Sequence, residues 1–387
     1  MQKKFLYFMA AAHLSVDINT GSLPAMLPFF AAQYGMDYKS IAGLMFASSF
    51  LSSIIQPAFG LMADKKERHW FMALGVLLAG VSLGLTGFSD SYWVIFTAVT
   101  IMGIGAAIFH PEAARIVNLI SGKNRGAAMS IFSVGGNSGF GLGPLLAVFL
   151  ITTFGMKGTL FYAITSVIMA IALFYLVPKL KAAAINVPST NSEANIQRPV
   201  AENDWPAFAR LVLVILFRST VFCGISSFLP LYCIRCLDAT PAEGSSTLSV
   251  IALFGIVATL IGGNLADRIG YVKMLKYGCL LIIPTLGTAV FSEQLFWVYA
   301  MLLPLSFAIH GAYSSFVVLG QSYLAKNIGF ASGITLGISF SIGGIVVPLL
   351  GHYGDIHGIT SVMHMLVIIA ICAGLACFLL PQPKKQS

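Results

Sequence analysis

The chain has 387 residues, of which 57% are hydrophobic and 9% charged, with a mean hydropathy of +0.87. A soluble domain is roughly a quarter charged, so this composition excludes an ordinary soluble enzyme or binding module and implies a membrane protein. The net charge of +8 does not point to nucleic acid, because its placement along the chain follows membrane sidedness instead.

Apolar runs near or above the ~18-residue length of a spanning helix are read in chain order at 5–32, 40–62, 70–88, 92–118, 126–153 and 158–178. The first, "MQKKFLYFMAAAHLS", starts like a signal peptide with Lys3 and Lys4. It runs past a signal h-region and contains His13 and Asp17, so it is read as a retained first helix. Residues 179–204 are polar and contain prolines, the composition of a mobile cytoplasmic linker. Six more runs follow at 207–233, 245–265, 273–291, 295–320, 330–352 and 358–380. None alternates as barrel strands do. The expected fold class is an all-α membrane protein of twelve transmembrane helices, with bundles at 1–178 and 205–387 joined by the linker.

With the N-terminus on the cytoplasmic side, eighteen of the 22 Lys and Arg fall on that face. Three, Lys39, Lys157 and Arg235, fall on the other, and Arg218 lies inside a helix. This bias places both termini in the cytoplasm. Cys233 and Cys236 form a lone C-x-x-C with no second pair; small apolar filler is the preferred reading over a disulfide or metal site.

The two sets of helices repeat. "GLMAD" at Gly60 returns as "GNLAD" at Gly263, and "KNRGAAMS" at Lys123 as "KNIGFASG" at Lys326, both 203 residues on. "GPLL" at Gly143 returns as "VPLL" at Val347. Equal order and spacing indicate a duplicated six-helix unit. The loops "GLMADKKERHW" and "GGNLADRIGYVK" resemble the G-x-x-x-D-R-x-G signature of the major facilitator superfamily, and the layout resembles that family over essentially the whole chain. Gly263, Asp267, Arg268 and Gly270 match the signature; the first copy keeps Gly60 and Asp64 but has Lys65 for the arginine. An aspartate at a helix end can accept hydrogen bonds from a neighbouring helix N-terminus, a latch for one conformation. The alternative is a solvated basic loop.

In the family's fold of two pseudo-symmetric six-helix bundles, the first, fourth, seventh and tenth helices line the central cavity. The ionisable residues within the runs agree: His13 and Asp17, His110 and Glu112, Arg218, and His310, with His364 as the exception. Such residues belong on a bundle interior or water-filled path. At ~1.5 Å per residue, Asp17 falls near mid-membrane and Arg218 reaches similar depth from the other half, so the two are candidates to meet. Glu112 and Arg115, three apart beside Pro111, can pair on one face, either as a salt bridge steadying a kink or as working groups.

"HLSVDINTGSLPAMLP", "FHPEAARI" and "SIFSVGGNSGFGLGPLLA" resemble the fosmidomycin-resistance branch of the superfamily. That resemblance implies an inner-membrane, proton-coupled exporter of a small phosphonate. Asp17, His13, His110 and Glu112 are assigned to proton coupling. Arg218, His310, His110, Asp17 and Tyr313 are assigned to the substrate, and Gly60, Asp64, Arg115, Gly263, Asp267 and Arg268 to the switch. Gly139, Gly143 and Pro144 of "GFGLGP" are read as close helix packing. No P-loop, metal-ligand spacing or nucleophile–base motif occurs, so no enzyme activity, cofactor or metal is expected. The expected partners are a small molecule, protons and the bilayer, with no nucleic acid, around a monomer. Proton-coupled uptake of an organic anion and a non-transporting sensor are the rival readings.

Overall fold

In hydrocarbon every backbone N–H and C=O has to be satisfied within the chain, so long apolar runs form helices. The computed structural model describes residues 3–36, 38–65, 68, 70–185 and 202–383. Among these, thirteen α-helices follow in order: α1 (Lys3–Tyr34), α2 (Tyr38–Lys65), α3 (Trp70–Leu85), α4 (Tyr92–Ile120), α5 (Arg125–Phe154), α6 (Leu160–Ile185) and α7 (Trp205–Cys236). The rest are α8 (Pro241–Ile269), α9 (Tyr271–Phe291), α10 (Leu295–His310), α11 (Tyr313–Tyr323), α12 (Ile328–His357) and α13 (Ile359–Ala376). No strand occurs among the described residues.

The helices track the predicted runs with two differences. The tenth run is broken at Gly311–Ala312 into α10 and α11, so thirteen helices occupy twelve predicted places. By length and hydropathy, nine helical segments among the described residues can cross a membrane. The second difference is at the linker. α6 runs through "KLKAAAI" to Ile185, where three alanines favour helix. Residues 186–201 of the predicted linker lie outside the described residues, but its last residues are held. Asn203 accepts from the Lys326 backbone N–H at 2.9 Å, and Asp204 caps α7 by accepting from Ala207 N–H at 3.0 Å.

Buried apolar side chains form one cluster from Leu6 to Val177 that also takes in Val317, Val318 and Leu336, and two others drawn from residues 207–380. Outward-facing Leu145, Ile168, Tyr175, Phe296 and Leu375 are exposed, as side chains that meet lipid should be. α1 packs lengthwise on α5, and α2 on α4 and α12. The α1–α5 seam is closed by glycine: a Cβ at Gly135, Gly139 or Gly143 would collide with the backbone of Ala10, Ile18 or Gly21. Four-residue spacing puts all three on one face of α5, which brings the α1 backbone close enough for Ser22 Oγ to donate to Gly143 O at 2.9 Å. Pro144 lies inside α5 next to this seam.

Candidate functional site

Three residues from α1 and α4 meet on one carboxylate. Asp17, 3% exposed, has Oδ2 3.1 Å from His13 Nε2 and Oδ1 3.1 Å from His110 Nε2. His13 is one turn before Asp17 on α1, while His110 comes from 93 residues away. His13 Nδ1 lies 2.8 Å from Phe132 O on α5. A carbonyl only accepts, so Nδ1 carries the hydrogen. His13 Nε2 and Asp17 Oδ2 can then bond only with a proton between them, on one atom or the other. The three donor atoms lie within 4.8 Å of one another, close enough to share a small cation, and contacts at hydrogen-bond length fit a proton. His13 also stacks on Phe132 at 4.0 Å between ring centres. A Cβ at Gly136 would strike His13 Nε2 and Asp17 Oδ2, so the glycine keeps the pair clear on that side.

The triad faces a cavity of about 210 Å³. Its polar wall includes Thr20, Ser48, Gln56, Ser133 and Asn137, and Tyr313, Leu336 and Gly337 line it from the second half of the sequence. Ser133 Oγ is buried without a hydrogen-bond partner and is available to a ligand. Spacing within the sequence did not point to Ser133, Gly136 and Asn137. Ser133 and Asn137 are four apart on one face of α5, a signal overshadowed by the glycines around them.

The stretch around Pro111 divides between two faces. His110 lines the cavity, but Glu112 does not; two residues on, at ~100° per residue, it points to the opposite side of α4. There Glu112, 1% exposed, accepts from Arg115 in a bidentate pair, Nε to Oε2 at 2.8 Å and Nη2 to Oε1 at 3.1 Å. Glu112, assigned to proton coupling with Asp17, His13 and His110, thus stands apart from those three.

Arg218 and Asp17 do not pair. Arg218, 5% exposed, donates from Nη2 to Ile309 O at 2.6 Å, in the last turn of α10, where the helix dipole favours a cation. Its Cζ lies 5.4 Å from the Phe222 ring centre and 5.8 Å from those of Tyr313 and Phe316. No carboxylate neutralises it among the described residues, and its Nε is buried without a partner. A charged side chain at mid-membrane costs ~2.5–3.5 kcal/mol on insertion scales, so an unneutralised one calls for a use. Neither Arg218 nor His310 lines the cavity. His310 ends α10 with Nδ1 donating to Ser306 O at 3.1 Å, and its ring fills the space over Gly255.

Away from the cavity, the two signature loops form paired latches. Asp64 at the end of α2 accepts from the N–H groups of Gly329 and Phe330, at 2.7 and 2.9 Å, at the start of α12. Asp267 at the end of α8 accepts from Gly126 and Ala127 N–H, both at 2.8 Å, at the start of α5. Gly60 lies against the Gly329 backbone and Gly263 against that of Gly126, each leaving room for the helix ends to meet. Tyr271 donates a further hydrogen bond to Asp267 at 2.6 Å, and Arg268 is exposed. Between the latches and the cavity, Asn118 on α4 donates to Gln321 Oε1 on α11 at 2.5 Å. Gln321 in turn donates to Ser332 Oγ at 2.9 Å.

Residues 9–348 match the family profile of the Major Facilitator Superfamily. An uncharacterized MFS-type transporter, YfnC of Bacillus subtilis (strain 168), is 28% identical over 98% of this chain and 93% of its own length. The fosmidomycin resistance protein of Escherichia coli (strain K12) is 26% identical over 96% of this chain and 91% of its own. Among solved structures, a bacterial homologue of the iron transporter ferroportin in its outward-facing state superposes with a TM-score of 0.77, at 15% identity, over 97% of this chain and 98% of that one. The profile covers most of the chain, and the duplicated latches and helix order follow from the same sequence: this chain belongs to the Major Facilitator Superfamily, as a multi-pass membrane transporter and not an enzyme.

Proposed function

We propose that the protein is a proton antiporter of the inner membrane that exports a small anionic compound of phosphonate type. The observation that supports this reading is the buried Asp17 carboxylate held between His13 and His110 at the wall of the cavity. Asp17 and His13 exchange the proton, and His110 steadies the carboxylate from the other side. Arg218, a cation without a counter-charge, supplies the attraction for an anion. The 26% identity to a fosmidomycin resistance protein supports export and the phosphonate class.

With the Lys- and Arg-rich loops in the cytoplasm, the latches of Asp64 and Asp267 close the cytoplasmic side. In that state the proton site communicates with the outside. Releasing both latches would turn the cavity towards the cytoplasm, where the proton leaves and the substrate loads. The six-helix units at 1–178 and 205–387 move as monomer halves about this cavity, in the alternating-access manner of parallel repeats.

Vesicle orientation tests the direction. Everted vesicles acidified inside should concentrate a radiolabelled phosphonate and release it when the gradient is collapsed. Accumulation only in right-side-out vesicles, driven by an inward proton gradient, would instead establish uptake by symport.

A further inference from the structure

Tyr313 belongs to two environments at once. It lines the cavity onto which His13, Asp17 and His110 face, and its ring centre stands 5.8 Å from Arg218 Cζ. Arg218 itself does not line that cavity. On its other sides lie Phe222 and Phe316, so three rings wrap one guanidinium. A guanidinium has five N–H donors in a planar fork that fits a carboxylate or phosphonate with two parallel bonds. Here Nη2 meets Ile309 O, and the buried Nε meets nothing. Aromatic faces are weak substitutes for a counter-ion.

Tyr313 also stands next to an interruption of the helix. Tyr313 is the first residue of α11, directly after the Gly311–Ala312 break. The Gly311 backbone rests on Gly262 of α8, which anchors the break, while α11 begins its own hydrogen bonding with Ser315 N–H to Ala312 O at 3.1 Å.

We propose that Arg218 forms a closed subsite for the anionic group of the substrate, a phosphonate or carboxylate, and that Tyr313 is the aromatic leaf between this subsite and the cavity. The anion replaces the ring faces around the guanidinium and takes up the idle Nε donor. This deepens the proposed function and rests on its anionic substrate.

Calorimetric binding to the purified full-length protein, without any gradient, tests it with a matched pair of probes: methylphosphonate and its neutral dimethyl ester. The wild type should prefer the anion by about tenfold or more. Arg218→Gln should erase the preference, and Arg218→Lys, which keeps the charge but loses the fork and the Nε donor, should retain only part of it. Tyr313→Ala should speed both association and release of methylphosphonate by about fivefold or more, and Tyr313→Phe should behave as the wild type. Unchanged preference in Arg218→Gln would overturn the subsite, and unchanged rates in Tyr313→Ala would overturn the leaf. Anion preference in a protein that shows no antiport would leave the subsite standing and remove the coupling reading; antiport without anion preference would do the reverse.

Discussion

The latches and the site are both built at positions related by the 203-residue repeat, yet one pair stayed alike and the other diverged. Asp64 and Asp267 are 203 apart and make the same two hydrogen bonds to the starts of α12 and α5. Asn118 and Gln321, also 203 apart, bond to each other. His110 and Tyr313 stand at the same offset and both line the cavity, but one contacts a carboxylate and the other a guanidinium. Asp17 has Thr220 as its counterpart, and Arg218 has Ser15. The proposed opening and closing call for matched ends on both bundles, and the like hydrogen bonds of Asp64 and Asp267 fit that proposal. The proposed exchange of a proton for an anion calls for two unlike sites, and the unlike residues at these positions fit that proposal.

The largest effects should come from breaking the unlike pair. His13→Ala removes a partner of the buried Asp17 carboxylate, and on the proposed coupling gradient-driven accumulation in everted vesicles should fall about a hundredfold or more, as expected when a buried charged partner is left unsatisfied. Facilitated exchange of substrate across the same membrane should persist. Uphill accumulation near the wild-type level would remove His13 from the coupling.

Next come the like pair. Asp64→Asn and Asp267→Asn each weaken two hydrogen bonds to a carboxylate, bonds worth ~1.5–3 kcal/mol apiece. Each should cut the turnover rate about tenfold, and by similar amounts, while substrate affinity stays within about threefold. A large affinity loss at unchanged maximal rate would move that aspartate from switch to binding site. A latch that matters in one half alone would break the symmetry argument.

A smaller effect is expected where the halves meet on the axis. Asn118→Ala and Gln321→Ala should each shift the balance between the two facing states by about 1 kcal/mol, or roughly fivefold, read as accessibility of a cavity cysteine to an impermeant reagent. The double variant should add little to either single one. Additive effects would show that the bond between them is not the relevant interaction. Smallest of all, scrambling residues 186–200 should leave transport within about twofold, because a connecting segment acts through its length. Asn203 and Asp204 must be kept, since they hold the starts of α12 and α7.

Much of this was legible in the sequence, because membrane helices are written in continuous apolar runs and the repeat is written in spacing. The latch aspartates could be named from GxxxD alone, since a loop residue next to a helix end has few places to go. The seam glycines of α5 could be read likewise. The site was legible only in part. His13 and Asp17 share a helix face and so could be paired, but His110 joins them only through packing of α4 against α1. Glu112 was grouped with His110 because they are near in sequence, and the helix turn separates them. The Asp17–Arg218 pairing inferred from equal depth fails because depth says nothing of azimuth: Tyr313 stands on the Arg218 side of the cavity, and each charged group has found nearer partners. The break at Gly311–Ala312 also escaped the sequence, where glycine within an apolar run marks close packing as readily as a helix end.

The most direct test of the account is the proton released when substrate enters. In acid-loaded everted vesicles carrying a lumenal pH dye, adding the phosphonate to wild-type protein should alkalinise the lumen as protons leave in exchange. Asp17→Asn should bind the phosphonate and give no pH change. Proton release in Asp17→Asn at the wild-type rate would contradict the assignment of the His13–Asp17–His110 cluster as the proton site.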